Sequence, residues 1–274
     1  MESKPSPPKP RNLIQTIERA SLILDRIGQN PKGMSIHDLH VGLRLPKGTI
    51  HRILSSLSYF GYARQDSETK NYFLGFKLME LGSLSANQLD LRKVAEPILR
   101  NLVEVTGETA HMVVIDRNEI VYIDKHETLQ ARGNLRMFSR VGARNPVHSC
   151  AVGKMLLSLL PEEQVDRIIG ETGLPQRTNN TITSLARFKE HLKTVRNQGY
   201  AIDDEENERG IRCVGAPVFD ETGAAVAAIS VSGPTVRVTK RLIADSLAKE
   251  VMRSAMEISR RLGFEEPGRK EGRK

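Results

Sequence analysis

Hydrophobic residues fall at helical spacing between positions 13 and 27, at Leu13, Ile17, Ala20, Leu24 and Ile27, and Gly28 follows as a stop. Ser35 stands as an N-cap ahead of Ile36, Leu39 and Leu43. Residues 42–45 then break the chain tightly before Pro46, a residue favoured in the first turn of a helix. The helix that follows, 46–60, can be tested by angle. At about 100° per residue, Ile50, Ile53, Leu54, Leu57 and Phe60 share an arc of roughly 120°, and Lys47, Gly48, Thr49, His51, Arg52, Ser55 and Ser56 fill the rest. Gly61 ends it, and 62–65, a turn at 66–70 and 71–74 read as a β-hairpin. Two helices, a turn, a third helix and a two-stranded wing make a winged helix-turn-helix.

The pattern then predicts helices over 76–84, a connector, and 91–105, the opening of a second domain. Strands are expected at 109–115 and 120–123 around a turn at 116–119, with a further strand at 135–141. Pro146 leads into a helix capped by Ser149 and running to residue 160, and helices at 161–169 and 184–197 follow. Strands at 211–219 and 225–231 flank a turn at 220–223, and a long helix, 240–262, closes an α+β domain with an antiparallel sheet. The Pro-rich, charged residues 1–11 and the tail 265–274, which has no large apolar side chain, are expected to be disordered. The expected division is an arm 1–11, a winged helix-turn-helix domain 12–75, a linker helix 76–89, a second, α+β domain 90–264 and the tail 265–274.

Composition narrows the classes. The chain has 274 residues, 39% hydrophobic and 27% charged, which excludes a fibre or a wholly disordered protein. Its net charge of +8 is uneven: residues 1–66 hold ten Lys and Arg against five Asp and Glu, so a polyanion partner is expected at the N-terminal end. Cys150 and Cys213 are the only cysteines, giving neither a disulfide scaffold nor a cysteine zinc cluster, and a reducing cytoplasm fits. No apolar run approaches the roughly 18 residues of a membrane span. The first ten residues carry Lys4, Pro5, Pro7, Pro8, Lys9 and Pro10 where a signal peptide needs an apolar core.

Lys47, Thr49, His51 and Arg52 lie opposite the apolar arc of 46–60, where a recognition helix presents side chains to the major groove. Arg52 can pair bidentately with guanine, and Lys47 can meet phosphate or base. With 4% aromatic residues, a stacking platform for single strands is not expected, so double-stranded DNA is the expected partner. The segment HSCAVGK, 148–154, ends in Gly-Lys but fails the phosphate-loop pattern twice, at His148 and Met155. It leaves a helix start with small residues whose free N–H groups could receive a carboxylate. In the acidic run 203–208, Asp203 follows the apolar 200–202 and is expected inside, and Asp204 to Glu208 read as a solvated loop. No metal or cofactor is expected, because Asp203, His111, His126, His148 and the cysteines share no ligand-pair spacing. The enzyme alternative makes Cys150 or Cys213 a nucleophile with His148 as base; an unpaired buried cysteine is far more often a small core residue.

From about Leu13 to Gly263 the chain resembles the IclR family of bacterial transcription regulators. The matching stretches are LPKGTIHRILSSL (45–57), the wing exit Tyr72 to Gly75, NPVHSCAVGKMLL (145–157), NTITS (180–184), RNQGYAIDDEE (196–206), GIRCVGAPVFD (210–220) and AAISVSGP (227–234). The resemblance implies a winged helix-turn-helix, a linker helix and a GAF-like effector-binding domain. It also implies a homodimer joined mainly through the DNA-binding domains and often paired into a dimer of dimers. The stretch 134–146, with TITS, is closest to the branch that represses pectin and ketodeoxygluconate catabolism. Carried over by position, the family's small-acid pocket falls on Cys150, Ala151, Val152, Asp203, Cys213, Ser230, Val231 and Ser232. Gly48 stands where relatives commonly carry serine, and Cys150 replaces a residue that is often serine, threonine or glycine. The expected function is a ligand-responsive regulator that binds operator DNA and a small organic acid, a repressor of a sugar-acid catabolic operon rather than an enzyme.

Overall fold

The computed structural model describes residues 12–87, 90–128 and 139–265, and the chain divides between residues 88 and 89 into two compact units. The first contains α1 (Gln15–Gly28), α2 (Ile36–Leu43), α3 (Lys47–Tyr59), a hairpin of β1 (Ala63–Gln65) and β2 (Tyr72–Leu74), and α4 (Phe76–Asn87). Its core joins Ile23 and Ile27 of α1, Leu39 of α2, Ile50, Ile53 and Leu54 of α3, and Ala63 and Tyr72 of the wing. Ser35 and Asp38 form a reciprocal capping box at the start of α2. Arg44 ends that helix in the left-handed region at φ 54°, turning the chain toward Pro46. Met34 bridges to Tyr72 and so ties the entry to α2 onto the wing.

The second unit opens with α5 (Asp90–Thr106), β3 (Thr109–Asp116), β4 (Glu119–His126) and β5 (Arg144–Pro146). Helices α6 (Ala151–Leu159), α7 (Glu162–Thr172) and α8 (Leu185–Gln198) precede β6 (Ala201–Asp204), β7 (Ile211–Phe219) and β8 (Ala225–Pro234). A helical turn α9 (Lys240–Leu242), a π-turn (Ile243–Leu247) and α10 (Ala248–Arg261) end it. Among the described residues the strands form one antiparallel sheet in the order β5-β4-β3-β8-β7-β6. Strand alternation gives it two covered faces. Met112, Val214, Ala216, Ile229 and Val231 face the core shared with α5 and α10, while Val113, Ile120 and Ala228 pack with α6, α7 and α8.

Several expectations need correction. The strand expected at 135–141 lies outside the described residues up to 138, and residues 139–141 form no strand. The nearby strand is instead β5, a three-residue edge strand, the position in which a sheet tolerates Pro146. Helix α6 begins one residue later than expected, with Cys150 as N-cap and no side-chain cap. Ser149 spends its hydroxyl on Asn207 Oδ1 at 3.1 Å. The terminal helix is interrupted by the π-turn, whose Ile243 and Leu247 are both buried in the sheet's core. The arm 1–11 lies outside the described residues, as do all but Glu265 of the tail.

Candidate functional site

In α3 the buried stripe of Ile50, Ile53 and Leu54 leaves Lys47, His51 and Arg52 exposed, whereas Thr49 is half-buried at the edge of that face. The helix contains no acidic residue, so nothing within it opposes a phosphate backbone. Ser55 and Ser56 donate their hydroxyls to the His51 and Arg52 carbonyls, at 2.9 and 3.1 Å, and turn their donors away from any outside partner. A Cβ built on Gly48 meets no atom within 4 Å, so glycine at this position is not demanded by packing.

The sequence-expected pocket residues converge in the second unit. A cavity of about 190 Å³ lies between the sheet and the start of α6, bounded by Cys150, Ala151, Val152, Asp203, Cys213, Ser230 and Ser232. Val231 is the exception. It is one residue out of phase, so it points through the sheet into the core with α5 and α10. Helix α6 reaches the sheet because glycines let it: a Cβ on Gly153 would stand 2.2 Å from the Val147 carbonyl oxygen, and one on Gly215 3.2 Å from the Val152 nitrogen. The Gly-Lys pair that suggests a phosphate loop is therefore structural. Lys154 is wholly buried, donating to Ile202 O at 2.5 Å and pairing with Glu206.

That pair anchors a loop which the sequence alone reads as solvated. Asp204 binds Arg212 and Lys240 at 2.7 and 2.6 Å, Glu205 accepts from Gly210 N at 2.8 Å, and Glu206 is buried against Lys154. Asp203 points inward, and its Oδ1 accepts the backbone N–H groups of Glu206 and Asn207 at 2.7 and 3.3 Å. Thr178 and Thr181 hold the loop from outside, their hydroxyls each donating at 2.6 Å to the Glu205 and Glu206 carbonyls.

Burial sets the charge state of the cavity. It raises the Asp203 carboxyl to about 7, with Lys154 opposing the shift and Glu206 adding to it. Burial lowers His111 to about 3, so this imidazole is neutral, with Nε2 2.8 Å from Ser139 Oγ and Nδ1 3.5 Å from Ser232 Oγ. Both thiols are pushed well above their ordinary value by burial and then by Asp203, which keeps them protonated and poorly nucleophilic. His148 does not serve as their base here; its Nε2 donates to the Pro175 carbonyl at 3.0 Å. Among the described residues no group of His, Cys, Asp and Glu is arranged to hold a metal, and no helix is long and apolar enough to cross a membrane.

The cavity also gathers residues that the sequence does not single out as ligand contacts: His111, Tyr122, Asn145, Arg177, Asn207 and Glu208. Asn207 and Glu208 sit inside the acidic run, and NTITS marks the segment next to Arg177. Tyr122 and Asn145, bonded to each other at 3.2 Å, come from strands β4 and β5; Asn145 opens the matching stretch 145–157, whereas Tyr122 carries no sequence signal.

The profile described as the IclR helix-turn-helix domain matches residues 16–67, and that of the bacterial transcriptional regulator IclR C-terminal matches residues 84–260. The chain belongs to the IclR family. It is 35% identical over 251 residues to the HTH-type transcriptional regulator KdgR of Escherichia coli strain K12, covering 92% of this chain and 94% of that one. It is 34% identical to the transcriptional repressor IclR of the same strain, covering 90% of this chain and 86% of the relative. The crystal structure of Thermotoga maritima IclR superposes with a TM-score of 0.76 at 35% identity, over 91% of this chain and 99% of that one. Like other IclR-family members, this chain is a ligand-responsive, DNA-binding transcription regulator and not an enzyme, in keeping with its two protonated thiols.

Proposed function

We propose that the protein represses a sugar-acid catabolic operon and is controlled by a small hydroxylated or keto acid, of the 2-keto-3-deoxygluconate type, bound in the cavity of the second unit. The observation that carries this reading is the convergence of the α6 N-terminus, Asp203, Ser230 and Ser232 on one cavity of about 190 Å³. That is roughly six water volumes, the scale of a metabolite. The acid end suits the free N–H groups near Ala151 and Val152, since beside Asp203 it would meet repulsion. Hydroxyl or carbonyl groups suit Asp203, Ser230 and Ser232. Likeness to KdgR favours the sugar acid among small acids.

Lys47, Thr49, His51 and Arg52 are the proposed reading face for double-stranded operator DNA, with Thr49 contributing from the edge. A homodimer through the DNA-binding units is supported by unusually exposed apolar side chains there: Ile14 at 61%, Ile17 at 62%, Phe76 at 72% and Met79 at 71%. Pairing of dimers is the expected further assembly. The cytoplasm is the proposed compartment, consistent with two free thiols.

The test combines calorimetry of the full chain against 2-keto-3-deoxygluconate with gel-shift of DNA upstream of its own gene, with and without that acid. Binding that releases the DNA supports the reading. No heat with any sugar acid, or a DNA affinity indifferent to a bound acid, refutes it.

A further inference from the structure

Arg177 lies outside the positions carried over from the family and outside every structural bond described above, yet it lines the cavity. Its surroundings explain why that matters. The ionisable groups of the lining are Asp203, Glu208, His111 and Arg177, besides the two thiols and Tyr122. Burial holds His111 neutral and keeps the thiols and the phenol protonated. Lys154 lies behind the wall, already committed to Glu206 and the Ile202 carbonyl. An entering carboxylate therefore faces two acids, and among the described residues Arg177 supplies the one cation of the lining.

The side chain is available for the task. Among the described residues its guanidinium forms no hydrogen bond and no salt bridge, and its charge acts on Glu208 only at longer range, so its five donors can be offered to a ligand without breaking a hydrogen bond. Its root is fixed. Arg177 N and Thr178 N both donate to Thr181 Oγ1, at 3.0 and 2.9 Å, and Thr178 and Thr181 are bonded in turn to the loop that carries Asp203. The guanidinium lines the same cavity as Cys150, the N-cap of α6, and its charge acts on that thiol as well as on the Glu208 carboxyl.

We propose that Arg177 is the carboxylate anchor of the cavity, gripping the acid group of the effector at the α6 N-terminus so that the ligand's hydroxyl or carbonyl groups reach Asp203, Ser230 and Ser232. The inference rests on the acid-effector reading above and names the residue that enforces it. A planar guanidinium matches a carboxylate bidentately, where lysine offers only a point charge. Acids are thereby selected over neutral sugars of the same shape.

Calorimetry of the full chain with 2-keto-3-deoxygluconate, D-gluconate and the neutral D-gluconamide tests this in wild type, Arg177→Gln and Arg177→Lys, with thermal melts to verify folding. Charge-assisted bonds of this kind are worth about ten- to a hundredfold in affinity. Arg177→Gln is expected to lose that factor for the acids and to erase the preference for gluconate over gluconamide, and Arg177→Lys to restore part of both. If wild type binds the acids and Arg177→Gln binds them as tightly, or loses acid and amide equally, the anchor is wrong and the acid pocket stands. If wild type binds none of the acids, the acid-pocket reading fails and the anchor with it.

Discussion

Asp203→Asn isolates the most perturbed acid of the cavity while keeping its shape. Asn retains the Oδ1 acceptor for the Glu206 and Asn207 amides and removes only the ionisation. In the folded chain Asp203 holds its proton to about pH 7, whereas an unfolded aspartate loses it near pH 4. Between those values the native state binds more protons than the unfolded one, so wild-type stability falls as pH rises, and the contribution is fully present only below the unfolded value. The slope approaches 1.4 kcal/mol per pH unit and halves as pH reaches the folded value, which makes about 2 kcal/mol between pH 5 and pH 7. Denaturant unfolding of wild type and Asp203→Asn across that range, followed by circular dichroism, should show the difference in stability changing by this amount in favour of the variant at the higher pH. Parallel curves would refute the reasoning, because they would mean that Asp203 is already ionised in the folded protein. The same protonation predicts that an anionic effector binds wild type more tightly at pH 6 than at pH 8, since the proton removes one of the two charges opposing it.

Lys154→Met leaves Glu206 buried without its partner and should cost about 3–5 kcal/mol, with Glu206→Gln in the same chain recovering most of it; a loss under about 1 kcal/mol in urea unfolding at pH 7 would contradict a buried pair. Arg52→Ala should weaken operator binding by roughly 1–3 kcal/mol if Arg52 reads a guanine, with much less effect on unrelated DNA. Equal losses in fluorescence anisotropy on both DNAs would reduce Arg52 to a phosphate contact. Gly48→Ala, placed in open space, should raise the melting temperature of the DNA-binding unit, by up to about 1 kcal/mol of stability; a fall would show that the glycine is needed for the fold itself.

Much of the first unit is legible in the sequence because α2 and α3 carry their own start, stripe and stop, whereas in α1 the buried residues are Ile23 and Ile27, and the expected Leu13 and Ile17 stand exposed. Ser35, Pro46 and Gly61 punctuate α2 and α3, and the apolar arc identifies the buried side of α3 through Ile50, Ile53 and Leu54, although Phe60, its last member, follows the helix and is 64% exposed. The second unit hides what depends on contacts between distant strands. Strand β6 has four residues, and its inward positions are Ala201 and Asp203, so hydropathy marks only half of the buried face. The loop after it looks solvated because Glu206 reads as a charge, and only the fold shows Lys154 arriving from α6 to meet it. Val231 falls among the expected pocket residues because a motif carries over as a continuous run, whereas a strand delivers every second residue to a given face. Arg177 has no local signal at all: it follows the irregular stretch Gly-Leu-Pro-Gln and reaches the cavity with its segment stitched to the acidic loop by Thr178 and Thr181.

These stitches also define what a ligand can act upon. Asp203 gives one oxygen to the amides of its own loop, which leaves the other for an effector. Arg177 sits at the far end of the same hydrogen-bonded unit, through Thr178, Thr181 and the Glu205 and Glu206 carbonyls. Lys154 joins that unit to α6, and Asp204 joins it through Arg212 to β7 and through Lys240 to α9. A molecule held at Asp203 and Arg177 therefore bears on segments 177–181 and 203–208 together, without having to break the buried Lys154 pair beneath them. A ligand at the proposed site would act on how this stitched unit is held, while the helix-turn-helix unit keeps its own core. Any influence of an acid on operator affinity must then be a difference in its affinity for two arrangements of the chain, and the operator must change the acid's affinity by the same factor.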